Sequence, residues 1–203
     1  MARRGLRPEL AQEHHVREIA SPDEVETKLR ERHEFDAIDK AGLVSKSDRF
    51  LFARHRLLFF YFGDDEPIYV QARDVTGTAT VKELSPAGLG CPLPYNASVL
   101  NAPSLKEVFL CEGCLDTLSA LQLGYPAIGI PGVQRFRHEW FELFQGVGRV
   151  KILFDNDDAG QAAAIELRAK FRRRGIAADV LVPTKGTDVN DHLLNEKGKG
   201  DEH

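Results

Sequence analysis

Lys151-Ile-Leu-Phe-Asp155-Asn-Asp157-Asp-Ala-Gly160 decides how this chain is read. Val150, Ile152, Leu153 and Phe154 form a short apolar run of the kind expected of a strand buried on both faces. The run stops at Asp155, Asp157 and Asp158, with Gly160 close behind. An alanine-rich pattern follows, in which Ala164, Leu167 and Phe171 recur at spacings of three and four, and it predicts a helix with one apolar face. Asp155 and Asp157 therefore stand at the carboxyl end of a central strand, where open α/β sheets bind their ligands. Alternate residues just past a strand end can aim two carboxylates at one point. Such a pair suits Mg²⁺, a hard cation that takes oxygen ligands and keeps part of its water. The competing expectation is that Asp157 or Asp158 caps the following helix.

Working outward, the same strand-and-helix rhythm repeats. Val108-Phe-Leu-Cys111 reads as a buried strand, then Glu112-Gly-Cys-Leu-Asp116 opens a helix through Leu118 and Leu121 to Gly124. Ala127-Ile-Gly-Ile130 is the next strand, and a helix carrying Trp140, Phe141 and Phe144 leads to the central one. The last strand, Asp179-Val-Leu-Val182, ends at Pro183, and Lys185-Gly-Thr-Asp188-Val-Asn-Asp191 follows. This alternation predicts an α/β fold with a central parallel sheet and right-handed crossovers.

Upstream the pattern differs. Ser21-Pro-Asp-Glu24 carries an N-cap, a proline in the first turn and early acids, so a helix is predicted to about Arg32. A second short helix, Phe35 to Ala41, is stopped by Gly42. Leu57 to Phe62, a hairpin turn at Gly63-Asp-Asp65, Ile68 to Ala72 and Thr78 to Val81 read as a small antiparallel meander. Pro86, Pro92, Pro94 and Pro103 mark residues 85–104 as a linker. The expected organisation is a flexible, irregular N-terminus over 1–20, a smaller α+β subdomain over 21–104, an α/β domain over 105–194 and a disordered tail over 195–203.

Composition narrows the function classes. In 203 residues, 42% hydrophobic content supports a real core, yet the longest apolar run, Leu57 to Phe62, is far too short to span a bilayer. The start of the chain lacks the apolar segment of a signal peptide, and three cysteines argue against a disulfide framework, so a cytoplasmic protein without membrane partners is expected. A net charge of −4 advertises no global nucleic-acid footprint. Local basic runs do exist at Arg49 to Arg56 and at Arg168 to Arg174, the latter with five basic residues in seven. Such runs are commonly solvated helix faces.

Glu112, Asp155 with Asp157, and Asp188 with Asp191 each follow a predicted strand. In a parallel sheet those ends share one edge. Carboxylates crowded there repel unless a cation is present, which predicts a divalent-metal site. Cysteine is a poor ligand for such an ion, so the Cys111 and Cys114 pair reads as incidental.

The ordered set Glu112-Gly-Cys-Leu-Asp116, Phe154-Asp-Asn-Asp-Asp-Ala-Gly160 and Asp188-Val-Asn-Asp191 resembles the Toprim domain over residues 105–194. That domain is shared by DnaG-type primases, type IA and II topoisomerases, OLD-family nucleases and RecR-type repair proteins. The forms present here most resemble DnaG-type and phage or plasmid primases. Arg56 to Arg73, Lys82-Glu-Leu-Ser85 and Pro94-Tyr-Asn96 are similar to the strand-rich segment before Toprim in primase polymerase cores, which extends the resemblance to residues 25–194. Glu83, Ser85 and Asn190 depart from that pattern. The zinc-binding module and helicase-interaction domain of full primases are expected to be missing.

The resemblance implies a template-dependent nucleotidyltransferase that makes short primers using Mg²⁺ or Mn²⁺. Asp155, Asp157 and Asp188 are then metal ligands, and Glu112 is a ligand or a general base. Asp116 and Asp191 are further acidic candidates. Arg73, Lys82, Asn96, Lys185, Arg168 and Arg172 are candidates for nucleotide or nucleic-acid contact. Single-stranded DNA template and nucleoside triphosphates are the implied partners, with a replicative helicase or a separate zinc-binding module beside them. A Toprim nuclease, or a non-catalytic nucleic-acid-binding replication accessory protein, stays open as the alternative.

Overall fold

The computed structural model describes residues 4–182 and 188–191, so Lys185 and the tail from 195 lie outside it. The chain divides into two compact units, one of Gln12–Pro92 and one of Met1–Ala11 with Leu93–His203. Among the described residues no helix is long and apolar enough to cross a membrane.

Residues 1–20, expected to be irregular, carry helix α1 (Pro8–Glu13) and strand β1 (Val16–Glu18). Besides β1, the first unit holds helices α2 (Pro22–Arg32) and α3 (Phe35–Lys40) and strands β2 (Leu57–Gly63), β3 (Glu66–Arg73) and β4 (Glu83–Leu84). Its antiparallel sheet runs in the order β1-β2-β3-β4. Ser21 caps α2 by accepting the Glu24 N–H at 3.3 Å, with Pro22 opening the helix. Gly63 pairs with Glu66, leaving Asp64 and Asp65 as a two-residue loop. Both have positive φ (49° and 68°), the twist that a primed hairpin turn needs.

The strand expected over Thr78 to Val81 does not form. Asp74 instead turns its carboxylate back to the N–H groups of Thr76 and Ala79, each at 2.7 Å, and to the Thr76 hydroxyl. Local side chain–backbone bonds thus take the donors a ladder would use, and pairing resumes only at β4. Those bonds, Thr76's hydroxyl foremost, hold the Asp74 carboxyl well below the usual carboxylate range.

The second unit is an α/β domain built from β5 (Val108–Cys111), α4 (Cys114–Gln122), β6 (Ala127–Gly129), β7 (Val150–Leu153), α5 (Asp158–Arg173) and β8 (Ala178–Leu181). All its strands are parallel, in the order β6-β5-β7-β8. The proline-bearing stretch is only partly a connector, because Tyr95 bridges to Gly129 through reciprocal backbone bonds of 2.8 and 3.0 Å.

The helix expected around Trp140 is a 3₁₀ helix, His138–Phe144. Residues three apart eclipse in that geometry. Phe141 and Phe144 therefore both reach Phe171 of α5, at ring-centroid distances of 4.9 Å each. An aromatic core with Phe136 closes around that ring.

Candidate functional site

β5 and β7 lie side by side, with Cys111 level with Leu153. All of β5 is buried, and Val150 and Ile152 of β7 are wholly enclosed. A slip of one residue would push Lys151 into the place of Ile152, so hydrophobic burial holds the register. Glu112 follows β5 directly and Asp155 comes two residues after β7. The two carboxylates therefore leave neighbouring strands, about 4.8 Å apart, at the same edge of the sheet.

The turn after Asp155 is built tightly. Asp157 is the N-cap of α5, and its Oδ1 accepts the Gly160 N–H at 2.7 Å. A Cβ on Gly160 would lie 2.5 Å from the Asp155 carbonyl oxygen, so only glycine lets the helix start so close to the strand end. That carbonyl also accepts the Gln161 side-chain amide at 3.2 Å. The backbone of Asp155 is thereby held from two sides.

Glu112 sits in a similarly close corner. Thr117 of α4 is fully buried and donates its hydroxyl to the Gly113 carbonyl at 2.8 Å. Gly129 of β6 packs onto that hydroxyl so closely that a Cβ there would collide with it. The helix opening after Glu112 thus rests directly on the neighbouring strand. Asp116 lies in the first turn of α4. Burial first, and the Asp116 charge next, push the Cys111 thiol well above its ordinary pKa. Cys111 and Cys114 are both buried and outside any disulfide, and a thiol held neutral, as at Cys111, is a poor metal ligand.

Asp188 spends one oxygen on its own chain, since Oδ1 accepts the Asp191 N–H at 2.6 Å where residues 189–191 turn helical. Among the described residues no three His, Cys, Asp or Glu side chains gather in a metal-holding group. Asp157 and Asp188 each commit one oxygen to a backbone N–H. Mg²⁺ is commonly held by only one or two carboxylates, with water and phosphate completing its shell, so this donor set fits it.

Asn190 has a different task from its acidic neighbours. Its buried amide donates to the Arg4 carbonyl at 2.8 Å and to Ser119 Oγ at 3.0 Å, while its oxygen faces the Arg4 guanidinium at 3.4 Å. It ties the start of the chain to α4, and nothing in sequence spacing announced this; a buried Ser119 on the helix face was the missing partner.

The basic candidates divide as well. Arg172 donates to the Ala178 carbonyl at 3.0 Å and to Asp179 at 3.3 Å, holding α5 to β8. Arg168 is half-buried on α5. Asn96 gives its amide to the Ala127 carbonyl at 2.8 Å. In the first unit Arg73 forms an ion pair of 2.5 Å with Glu83, which also accepts from Gln71, while Lys82 is exposed. Glu83 is thus the partner of a residue singled out for phosphate contact.

A Toprim domain model matches residues 107–199. Gene 57 protein of Mycobacterium phage D29 is 32% identical over 108 residues, which are 53% of this chain and 67% of that protein. The Aquifex aeolicus primase structure, comprising zinc-binding and RNA polymerase domains, matches with a TM-score of 0.77 at 19% identity, over 98% of this chain and 52% of that one. A DnaG primase catalytic domain bound to single-stranded DNA matches with a TM-score of 0.74 at 20% identity, over 98% and 67%. The chain therefore spans about half the length of the Aquifex structure. At these identities the likeness is one of fold.

Proposed function

The chain belongs to the Toprim-domain proteins, and from that premise we propose that it is a primase-like, template-dependent nucleotidyltransferase making short primers. The observation that carries this reading is the departure of Glu112 and Asp155 from adjoining strands at one sheet edge, within a DnaG-like fold.

Asp155, Asp157 and Asp188 would hold Mg²⁺ or Mn²⁺, with Glu112 as a further ligand or a general base. A carboxylate has two oxygens, so the caps made by Asp157 and Asp188 leave each a second one to offer. When bound, the metal would supply charge stabilisation for the attacking 3′-hydroxyl and the departing pyrophosphate. Asp155 contributes position, because Gly160 and Gln161 hold its backbone. Lys82 and Arg168 are the better candidates for phosphate contact, since Arg73, Asn96 and Arg172 are engaged within the protein. Single-stranded DNA and nucleoside triphosphates would be the substrates, with a helicase or zinc-binding module as partner.

The test incubates the full chain with single-stranded template, labelled nucleotides and Mg²⁺ or Mn²⁺. Primer extension is expected, lost in excess chelator and in Asp155→Asn. Cleavage of the template would identify a nuclease instead, and binding without turnover an accessory protein. Turnover that survives excess chelator would overturn the metal assignment.

A further inference from the structure

A cavity of about 340 Å³ opens beside α5, and its lining combines cationic with aromatic and aliphatic side chains. Lys170, Arg173 and Arg174 line it beside a single carboxylate, Glu166, that pairs with Lys170 at 2.6 Å. Phe136, Phe141 and Leu167 give the same cavity apolar walls, and Gln134 also lines it.

Arg174 is fixed before any ligand arrives. Its guanidinium lies 3.9 Å over the Phe141 ring, donates to the Lys170 carbonyl at 3.1 Å and bonds His138 Nε2 at 2.7 Å. With the arginine as donor, His138 Nε2 is the acceptor. A guanidinium has five N–H groups, so donors remain to be offered. Cations at a helix C-terminus are expected from the helix dipole alone. The dipole does not account for the aromatic seat, nor for the rigid apolar wall, where Phe136 is held edge-on by Trp140 and Phe171.

We propose that this cavity is a binding site for a nucleoside phosphate, lined by residues other than the carboxylates of the sheet edge. The phosphate would sit at Arg173, Arg174 and Lys170, and the flat base would lie against Phe136 and Leu167, with Gln134 able to donate and accept at its edge. The lining runs from Ala163 to Arg174 along the helix, roughly 16 Å at about 1.5 Å per residue, long enough for base, sugar and phosphate. The volume falls within the range of about 300–1,000 Å³ usual for small-molecule sites. This inference goes beyond the proposed polymerisation and does not depend on it.

Calorimetric titration of the full chain with ATP, AMP, adenosine and inorganic pyrophosphate tests it, all in excess chelator so that metal-dependent binding at the acidic edge is silent. ATP and AMP are expected to bind, and adenosine to bind far more weakly. Arg173→Gln should weaken ATP by about tenfold, the scale of one lost charge-assisted hydrogen bond, with its melting temperature unchanged. A 5′-phosphorylated trinucleotide that displaces ATP would place the natural phosphate on a strand end, whereas failure to displace it would assign the site to free nucleotide. Pyrophosphate binding as tightly as ATP would overturn the nucleoside part. Absence of nucleotide binding, or binding indifferent to Arg173→Gln, would overturn the site. Because no metal is present, neither result bears on primer synthesis.

Discussion

Asp157 Oδ1 accepts the backbone N–H of Gly160 at 2.7 Å, so the residue proposed as a metal ligand is also the N-cap of α5. The two roles make different demands on the side chain. A cap needs one acceptor oxygen, which asparagine supplies as well as aspartate does. A hard divalent cation needs the negative charge.

Asp157→Ala should therefore cost about 1 kcal/mol, a fall of roughly 2–4 °C in melting temperature for a chain of this size. Asp157→Asn should keep most of that stability. If Asp157 also holds metal, wild type gains stability in millimolar Mg²⁺ and Asp157→Asn loses most of the gain. Melting curves of the three proteins, with and without metal, separate the roles. An Asp157→Asn protein with an intact metal response would leave Asp157 as a cap alone.

Gly160→Ala tests the tight start of α5. Alanine favours a helix over glycine by about 1 kcal/mol. Against that, the new Cβ would meet the Asp155 carbonyl oxygen at 2.5 Å, and overpacking against backbone typically costs about 1–3 kcal/mol. The steric effect should win. Denaturant unfolding should show a net loss, and primer synthesis should fall by more than stability does, because the displaced backbone belongs to Asp155. A stabilised, active variant would contradict this.

Asn190→Asp exchanges two donors for a charge in a buried place. The Arg4 carbonyl and Ser119 Oγ would lose their partner, and each unsatisfied buried group costs about 1–3 kcal/mol. Burial would raise the new carboxyl's pKa and the Arg4 guanidinium, 3.4 Å from the present side-chain oxygen, would lower it; with the residue almost wholly enclosed, burial is expected to win. Such a group stabilises only while protonated, so the deficit should shrink as pH falls toward the acid range and grow again toward neutrality. Urea midpoints of both proteins from pH 4 to pH 8 measure it; a pH-independent difference would refute the assignment.

Asp179 has the opposite sign. Arg149 first, at 2.7 Å, and then Lys151 hold its carboxyl below the ordinary range. A depressed folded pKa means stability that is present above the unfolded value and lost as pH falls through the folded one. Wild type should therefore lose stability on acidification more steeply than Asp179→Asn, with the two curves converging at the acid end. Parallel curves in thermal melts below pH 5 would show that the β8 ion pairs contribute nothing.

Much of the architecture is legible without coordinates because its causes are local. A buried strand, a capping acid and a helix with one apolar face are written within twenty residues, as from Val150 to Phe171, and so are Ser21 before α2 and the paired aspartates of the β2–β3 hairpin. The order of strand, acid and glycine likewise carried the Toprim resemblance. Other features depend on residues distant in the chain. Glu112 and Asp155 become neighbours only because β5 pairs with β7, and no local pattern states that pairing. Thr78 to Val81 fails as a strand because Asp74 reaches forward for its donors, and Phe141 and Phe144 adopt a 3₁₀ turn because Phe171 of α5 waits for both. Arg73 and Asn190 have their partners in Glu83 and Ser119. Local chemistry determined which segments fold and where acids stand. Packing across the chain decided which polar groups meet one another inside the protein, because burial forces each to find a partner wherever the fold brings one.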